Sequence, residues 1–366
     1  MKIGIYSDAH FSINSSILMG QDKNSIYSKR LAVLIKSFEW LYEVFTEKQV
    51  DLIINCGDMT SSDSITSEEN SALSKSLSFN KGIPEIHLLG NHDIKDIGKN
   101  FSSIDLLAGY PNIKIIRDYC TINNFDIPLI MVPFTSDRDI LDKIQVDLSF
   151  IDDPCVVFSH VGYLGDGLLN GNGYIDTTGL DKEIILSNNN VRKIFNGHLH
   201  NPLQLGNYCQ IGSLIGNGFG DSYAYSVPRI LIYDTQKDIL EAIKNPHAVL
   251  FYKFKADSFT TIKDNLSKLK NPCCLQVTVP LSIREKVSEY ISTHQDTYNI
   301  LEFRVKSETV NNPNADVLES DSKILEKIEK ISDNKSVLDL LKLFTENTEN
   351  LPSSLPVMLH FLEKYF

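Results

Sequence analysis

Five short polar blocks contain the residues of this sequence that are best suited to chemistry. Each block follows directly on an apolar stretch that is typical of a buried strand, and each contains aspartate or histidine. In chain order they are Asp8-Ala9-His10, Gly57-Asp58, Gly90-Asn91-His92-Asp93, His160 and Gly197-His198-Leu199-His200. Because ligand sites of open α/β folds gather at the carboxyl ends of strands, we expect the blocks to converge on one site.

The residue types in these blocks predict a metal centre. Carboxylate, imidazole and amide groups together suit divalent ions such as Mn²⁺, Fe²⁺ or Zn²⁺. Alternate side chains of an extended chain point the same way, so Asp8 and His10 are expected to face one ion together, as are His198 and His200. The candidates are too many for one ion and fit two ions about 3.5–4 Å apart that share a carboxylate and activate a water for attack on phosphate. Any block alone could be a turn with a satisfied histidine, so the prediction rests on their joint occurrence.

The elements between the blocks predict a layered α/β fold. Apolar residues recur at helical spacing from Leu31 to Phe45, between strand-like stretches at 2–7 and 51–56, and another helix precedes a strand at 84–89. After about residue 112 the pattern changes to short strands with short connections. We therefore predict an αββα sandwich, in which two sheets pack face to face with helices outside.

Four segments are expected along the chain. Residues 1–248 carry the five blocks, 249–306 form a small α+β module with two strands and a helix, 307–320 form a polar linker, and 321–366 form a helical tail. Residues 250–306 hold nine basic and six acidic side chains, in a chain whose formal net charge is −12. The tail is expected either to pack on its own domain or to dock on a partner.

Composition excludes several classes of protein. With 42% hydrophobic and 22% charged residues, the 366-residue chain is neither disordered nor collagen-like. Its apolar runs are shorter than the roughly 20 residues that span a bilayer, and its start lacks a secretion signal, so no membrane association and a cytoplasmic location are expected. Its six cysteines are scattered without a CxxC pair, which favours buried reduced thiols over disulfides or thiolate metal sites.

The order of the five blocks resembles that of the calcineurin-like metallophosphoesterases, over roughly residues 1–235. The ligands that this resemblance implies are Asp8, His10 and His200 for one ion, Asn91, His160 and His198 for the other, and Asp58 as the bridge between them. It also implies that His92 is a non-ligand acid that protonates the leaving oxygen, and that Asp93 orients His92.

Within that family the chain is similar to SbcD-type nuclease subunits and their phage recombination-endonuclease relatives. Asp58 is followed by Met-Thr-Ser-Ser, without the arginine that is usual in protein Ser/Thr phosphatases. The segments Ile211-Gly212-Ser213, Phe219-Gly220-Asp221 and Arg229–Asp234 also fit, as does the order of capping module, linker and helices. This resemblance implies an Mn²⁺-dependent DNA exonuclease or endonuclease that acts with an SbcC-type coiled-coil ABC ATPase, usually as a homodimer. Thr60 and Ser61 depart from the family, whose members often carry an aromatic residue and then Asp or His there.

The net-basic module is the expected DNA-binding region. Its candidate residues are Lys253, Lys255, Lys263, Lys268, Lys270, Arg284 and Lys286. The alternative is that these side chains form an ordinary solvated face. A second hypothesis for the whole chain is a small-molecule phosphodiesterase or phosphatase with the same metal site, and a third is a scaffold that retains the fold without activity.

Overall fold

The computed structural model describes residues 1–13, 18, 20–22, 25–95, 101–164, 179–220, 227–269 and 272–307. Met1–Lys306 form one compact unit. In the described part of the chain, no helix combines the length and the apolar character needed to cross a membrane. Asp221, Lys270, the predicted linker beyond residue 307 and the predicted tail at 321–366 lie outside the described residues.

The described helices and strands alternate through the first third of the chain and are mostly strands after it. The helices are α1 (Lys29–Glu47), α2 (Ser67–Leu77), α3 (Arg138–Ser149), α4 (Lys182–Leu186), α5 (Phe259–Leu266) and α6 (Arg284–Thr293), with 3₁₀ turns at Asp105–Gly109 and Leu281–Ile283. The strands are β1 (Lys2–Tyr6), β2 (Leu52–Asn55), β3 (Glu85–Leu88), β4 (Ile113–Ile116), β5 (Cys120–Ile122), β6 (Leu129–Val132), β7 (Cys155–Ser159), β8 (Tyr163–Leu164), β9 (Leu180–Asp181), β10 (Val191–Asn196), β11 (Leu203–Leu205), β12 (Tyr208–Gln210), β13 (Arg229–Asp234), β14 (Ile239–Lys244), β15 (Leu250–Lys255), β16 (Cys273–Val279) and β17 (Ile300–Ser307).

Two six-stranded mixed sheets pack face to face, which confirms the predicted sandwich. Their strand orders are β14-β13-β1-β2-β3-β4 and β11-β12-β10-β7-β6-β5. Ile3 and Ile5 of β1 pack with Phe158 of β7 in the core between the sheets. Tyr6 alternates to the other face of the first sheet, where it packs under α1. The carboxyl ends of β1, β2 and β3 therefore lie at one edge, because these strands are parallel.

Helix α1 covers the outer face of the first sheet as its apolar spacing predicts. It begins after Ser28, whose hydroxyl accepts a hydrogen bond from the N–H of Leu31. Leu34, Phe38 and Phe45 are fully buried against the sheet. Each such side chain contributes about 1.5–3 kcal/mol by leaving water.

Helix α3, on the outer face of the second sheet, was not expected from the sequence. It begins at the Asp137 cap and buries only Leu141, Ile144 and Leu148. Val146 and Phe150 are apolar but exposed on the opposite side. The apolar residues of this segment therefore do not form a single stripe, and the helical periodicity is obscured.

The small module contains a third sheet, of order β15-β16-β17. The prediction of two strands around one helix was incomplete, since β15 pairs in parallel with β16, from Leu250 opposite Cys273, and α5 lies between them. In the outer half of β15 lysines alternate with half-buried aromatic residues, so the segment lacks the apolar run by which the other two strands were found. The predicted division of the chain into four functional segments remains a prediction.

Candidate metal centre

The five blocks lie at the carboxyl ends of strands from both sheets. Asp8 and His10 follow β1, and Asp58 follows β2. Asn91, His92 and Asp93 follow β3, His160 follows β7, and His198 and His200 follow β10. The polar side chains are thus collected at one end of the sandwich.

The backbone at these positions differs from the expected extension. Asp8 (φ 53°) and His10 (φ 52°) adopt the left-handed conformation, as do Asp58 (φ 52°) and His198 (φ 69°). Asp8 and His10 belong to one ligand group, as expected, but strand alternation is not the reason, because β1 ends at Tyr6. Two main-chain hydrogen bonds fix this turn instead, from Asp8 N–H to Gly57 O (3.0 Å) and from His10 N–H to Asp58 O (3.1 Å).

One group of side chains contains Asp8, His10 and His200. The two imidazole Nε2 atoms are 3.1 Å apart. Asp8 Oδ1 lies 3.8 Å from Nε2 of His10 and 3.9 Å from that of His200. One ligand atom from each residue lies within 4.8 Å of the other two, a spacing at which all three could bind one ion.

A second group contains Asn91, His160 and His198. Asn91 Oδ1 lies 3.2 Å from His160 Nε2 and 2.9 Å from His198 Nδ1. The other ring nitrogen of His160 lies 2.5 Å from the carbonyl oxygen of Cys56. Because a carbonyl only accepts, Nδ1 donates its proton to Cys56, and Nε2 faces the group.

Asp58 lies between the two groups. Its Oδ2 atom is 3.6 Å from His10 Nε2 and 3.3 Å from His160 Nε2. Its Oδ1 accepts the backbone N–H of His92 at 2.9 Å. This carboxylate can therefore reach a cation in either group, as the sequence resemblance implies for the bridging residue.

The electrostatics of the centre call for positive charge. Asp8 is fully buried, and its carboxylate accepts no well-formed hydrogen bond from the described residues. Burial raises the pKa of Asp8, whereas the imidazoles around Asp58 outweigh burial and hold the pKa of that carboxyl below its usual range. Burial lowers the pKa of His10, which keeps this imidazole neutral and able to bind a cation. At His160 the carboxylates of Asp58 and Asp8 outweigh burial and raise the pKa to about 9, so a cation bound there would displace a proton from the ring. Two buried carboxylates with imidazoles and an amide oxygen fit a pair of divalent cations.

At two positions in the blocks, neighbouring atoms lie so close to the main chain that only glycine fits. A Cβ atom at Gly90 would overlap Asp58 Oδ1, and one at Gly57 would overlap the His160 ring. Gly57 also has a φ of +99°, which favours glycine. These contacts explain why both Gly57-Asp58 and Gly90-Asn91 begin with glycine.

His92 and Asp93 lie at the same centre but have different surroundings. The His92 ring is exposed and meets the His10 ring edge-on, with centroids 5.0 Å apart. The buried Asp93 carboxylate instead accepts hydrogen bonds from Thr60 and from the N–H of Gly90. Burial and the neighbouring Asp58 raise the pKa of Asp93 to about 6. The contacts of Asp93 are thus with the main chain of its own turn and with Thr60, rather than with the ring that it was expected to orient.

Sequence reasoning did not single out Arg30, which lies beneath the first group. This buried guanidinium donates to the carbonyl of His10 (3.1 Å) and to Asn217 Oδ1 (2.5 Å). Asn217 in turn lies 3.4 Å from the His200 ring. A basic residue four positions before Leu34 on an apolar helix stripe is the signal that could have identified it.

The predicted DNA-binding residues divide between two faces of the third sheet. Tyr252 and Phe254 pack toward α5 and α6, so Lys253 and Lys255, which alternate with them, face the other way. Arg304, which the prediction omitted, belongs to this second face, because it covers the ring of Phe219, which packs on Phe251. The remaining described candidates are on or beside the helices: Lys263, Lys268, Arg284 and Lys286.

The two facing sheets and the clustered carboxylates and imidazoles agree with a hydrolase of the two-metal phosphoesterase type. The model of the calcineurin-like phosphoesterase family matches residues 1–202, and the chain belongs to that family. Family membership indicates a phosphoester hydrolase, and the grouped residues agree with a dimetal site.

Solved structures with a similar arrangement are distant in sequence. A dimetal phosphatase from Danio rerio is 12% identical, with a TM-score of 0.42 over 67% of this chain and 99% of its own. The protein TT1561 of Thermus thermophilus is 9% identical, with a TM-score of 0.41 over 66% and 98%. The purple acid phosphatase PPD1 of yellow lupin (Lupinus luteus) is 12% identical, with a TM-score of 0.37 over 59% and 40%. No curated protein matches the chain.

Proposed function

We propose that this protein is a Mn²⁺-dependent nuclease that hydrolyses phosphodiester bonds of DNA. The observation that carries the proposal is the pair of exposed lysines, Lys253 and Lys255, on one face of the third sheet, and the connection of that sheet to the metal centre. Asn217 lies 3.4 Å from the His200 ring, and two residues later Phe219 packs against Phe251 of that sheet, with ring centroids 5.4 Å apart. A duplex bound on this face would have its phosphates close to the candidate ligands.

The chain's own residues support in-line hydrolysis at the centre. In this proposal the residues that hold the two cations are Asp8, His10, Asp58, Asn91, His160, His198 and His200. Bound cations would neutralise phosphate charge and activate the attacking water. The exposed His92 imidazole donates its proton to the leaving oxygen, while Asp58 fixes the His92 main chain through the bond to its N–H.

The DNA-binding surface in this proposal is the face that carries Lys253, Lys255 and Arg304. The helix-side lysines make cation–π contacts: Lys263 Nζ lies 5.0 Å from the ring centre of Tyr290, and Lys286 Nζ lies 4.8 Å from that of Phe259. Arg304 makes a similar contact with Phe219, so these contacts do not distinguish the two faces. The difference is that α5 and α6 cover the face of the sheet opposite Phe219 and its connection to the metal centre. We therefore assign the helix-side residues to the solvated surface.

Paired charge changes on the two faces test this surface. Changing Lys253, Lys255 and Arg304 to glutamine should weaken duplex binding at least about tenfold and lower the salt slope of log K by about 2 to 3, since each phosphate contact contributes about 0.9. The matched control changes Lys263, Arg284 and Lys286 to glutamine and removes the same charge from the helix side. Equal losses in both variants would contradict the assignment of the sheet face.

The proposed partner is an SbcC-type coiled-coil ABC ATPase, and the proposed contact is the segment 321–366. Deletion of this segment should end co-purification with the ATPase while hydrolysis of simple substrates continues. Unchanged co-purification would refute the docking role. A homodimer is the proposed assembly, and the mass of the purified protein in solution tests it.

A small-molecule phosphodiesterase or phosphatase is the second candidate function. The observation that favours it is a cavity of about 210 Å³ beside the second ligand group. Its lining includes Asn91 and His198, the Phe134 ring and the hydroxyl-bearing Thr135 and Ser136. Incubation with end-labelled duplex DNA and with bis(4-nitrophenyl) phosphate in Mn²⁺ separates the two candidates. Hydrolysis of the chromogenic ester without any cleavage of DNA would favour the small-molecule function.

A further inference from the structure

Thr60 is a fully buried residue that joins two loops of the metal centre. Its backbone N–H and its hydroxyl both donate to Asp93 Oδ1, each at 2.9 Å. The hydroxyl also lies 2.5 Å from the hydroxyl of Ser103. Thr60 thereby connects the loop after β2, which carries Asp58, with the turn after β3.

Asp93 connects Thr60 to the turn at 90–93. Its Oδ2 accepts the N–H of Gly90 at 3.0 Å, at the start of the turn. Its main-chain carbonyl accepts the N–H of Ser103 at 2.9 Å, at the end. The turn is thus fixed at both ends by bonds that converge on Asp93 and Thr60.

The exposed His92 ring depends on this turn for its position. Its backbone N–H is bonded to Asp58, whereas the ring itself meets the edge of the His10 ring, with 5.0 Å between centroids. Exposed side chains with few contacts are placed mainly by their main chain. A displacement of the turn would therefore move the imidazole relative to the leaving oxygen.

We infer that the Thr60 hydroxyl is a positioning group for His92. The inference rests on the proposed phosphodiesterase reaction. In that reaction the water gives a proton to solvent as its oxygen forms a bond to phosphorus, the bond from phosphorus to the leaving oxygen breaks, and the proton of His92 passes to that oxygen, after which His92 takes a proton from solvent. Thr60 acts through Asp93 and the turn, and it does not touch the substrate. The departure from the family pattern at this position thus contributes a hydroxyl that holds the acid-bearing turn.

The test compares Thr60→Val with Thr60→Ser on aryl methyl phosphates whose phenols differ in acidity. Poor leaving groups need the proton most, so Thr60→Val should lower kcat about 30-fold for phenyl and no more than about threefold for 4-nitrophenyl, with KM unchanged within about twofold. Thr60→Ser retains the hydroxyl, so its plot of log kcat against the acidity of the phenol should have nearly the wild-type slope. The matched control is Thr235→Val, because the buried Thr235 also donates to a carboxylate, Asp126 Oδ2 at 2.8 Å, but lies beside Met1 at the other end of β1.

Amide exchange in the metal-free protein gives a second readout. The N–H groups of His92 and Ser103 should exchange faster in Thr60→Val and at the wild-type rate in Thr60→Ser. If Thr60→Val does not fold, Ser103→Ala serves in its place, because it removes the other hydroxyl of the pair and should steepen the same slope. Equal loss of kcat across all phenols would overturn the inference, whereas a wild-type protein that hydrolyses neither these esters nor end-labelled duplex DNA would refute the proposed function itself.

Discussion

Two clusters of buried carboxylate and histidine occur within the same sandwich, and they are built in opposite ways. At the metal centre the carboxylate of Asp8 is fully buried and receives no well-formed hydrogen bond from the described residues. In the first sheet, Glu85 is equally buried, but it accepts bonds from the Tyr6 hydroxyl (2.7 Å) and the Tyr42 hydroxyl (2.9 Å). His87 Nε2 lies 3.0 Å from the same carboxylate.

The difference separates a site from a structural network. Glu85 also accepts the side-chain amide of Asn80 at 2.9 Å, so both of its oxygens are satisfied within the protein. Burying an ionised group without partners costs several kcal/mol, and the Asp8 carboxylate avoids that cost only if a cation or proton arrives. Residue types are similar in the two clusters, but the carboxylate oxygens of Glu85 are filled within the protein and those of Asp8 are not.

Removing the Asp58 carboxylate, which lies between the two ligand groups, should have the largest effect on the metal centre. Asp58→Ala takes away the oxygen that lies between His10 and His160, so we expect loss of both cations and a fall in ester hydrolysis on the order of a thousandfold or more. Metal content measured by mass spectrometry and hydrolysis of bis(4-nitrophenyl) phosphate check this. A variant that retains one ion and partial activity would contradict the bridging role.

Removing the proposed acid should separate chemistry from metal binding. His92→Ala leaves the candidate ligands in place, so we expect unchanged metal content and a loss of kcat between about 100- and 10,000-fold. Titration of Mn²⁺ alongside steady-state kinetics measures both. Loss of metal from this variant would make His92 a ligand instead.

A substitution in the hydrogen-bond network of Glu85 should lower the stability of the fold without affecting the metal centre. Glu85→Gln weakens the bonds from Tyr6 and Tyr42, and we expect the free energy of unfolding to fall by about 1–3 kcal/mol while kcat and metal content stay within about twofold of wild type. Urea denaturation provides the measurement, and the exposed Glu43→Gln on α1 is the control. A large loss of metal in Glu85→Gln would mean that the two clusters are coupled.

The stability difference between wild type and Glu85→Gln should also depend on pH. Burial alone would raise the pKa of Glu85, but His87, Tyr6 and Tyr42 outweigh it and hold the pKa below the ordinary value of 4.5. The ionised form is therefore favoured in the folded state, so its contribution is present above about pH 4.5 and declines as the pH falls through the folded pKa. Urea unfolding should give the same difference in free energy of unfolding between wild type and Glu85→Gln at pH 7 and pH 5, and a smaller difference at pH 4. A difference that grows toward low pH would show that the carboxyl is protonated in the folded state.

The sandwich and the members of the centre could be predicted because both leave local signals. Apolar strands ending in Asp8-Ala9-His10 or Gly57-Asp58 show where the polar residues must gather. What could not be predicted depends on long-range geometry. The hydrogen bond from Thr60 to Asp93 joins residues that are 33 positions apart, and no local sequence pattern predicts it.

The same limit applies outside the centre. Helix α3 was missed because Val146 and Phe150 are apolar yet exposed, which weakens the periodic signal. The candidate basic residues were chosen by charge alone, and only strand alternation in the folded sheet separates Lys253 from Lys263. Arg304 lies in the stretch at 300–305 that was predicted as a strand, and it was not among the candidates.

The left-handed backbone at Asp8, His10 and Asp58 has a consequence for protein engineering. A non-glycine residue in this conformation costs roughly 1–2 kcal/mol, and glycine there costs little. In a metal-free protein, glycine at these positions would therefore raise the resistance to heat, whereas cation binding would stabilise only a protein that keeps the aspartates and the histidine. A random library selected for thermal resistance in the presence of a chelator should accordingly accumulate inactive variants, and the same selection with Mn²⁺ supplied should preserve hydrolysis.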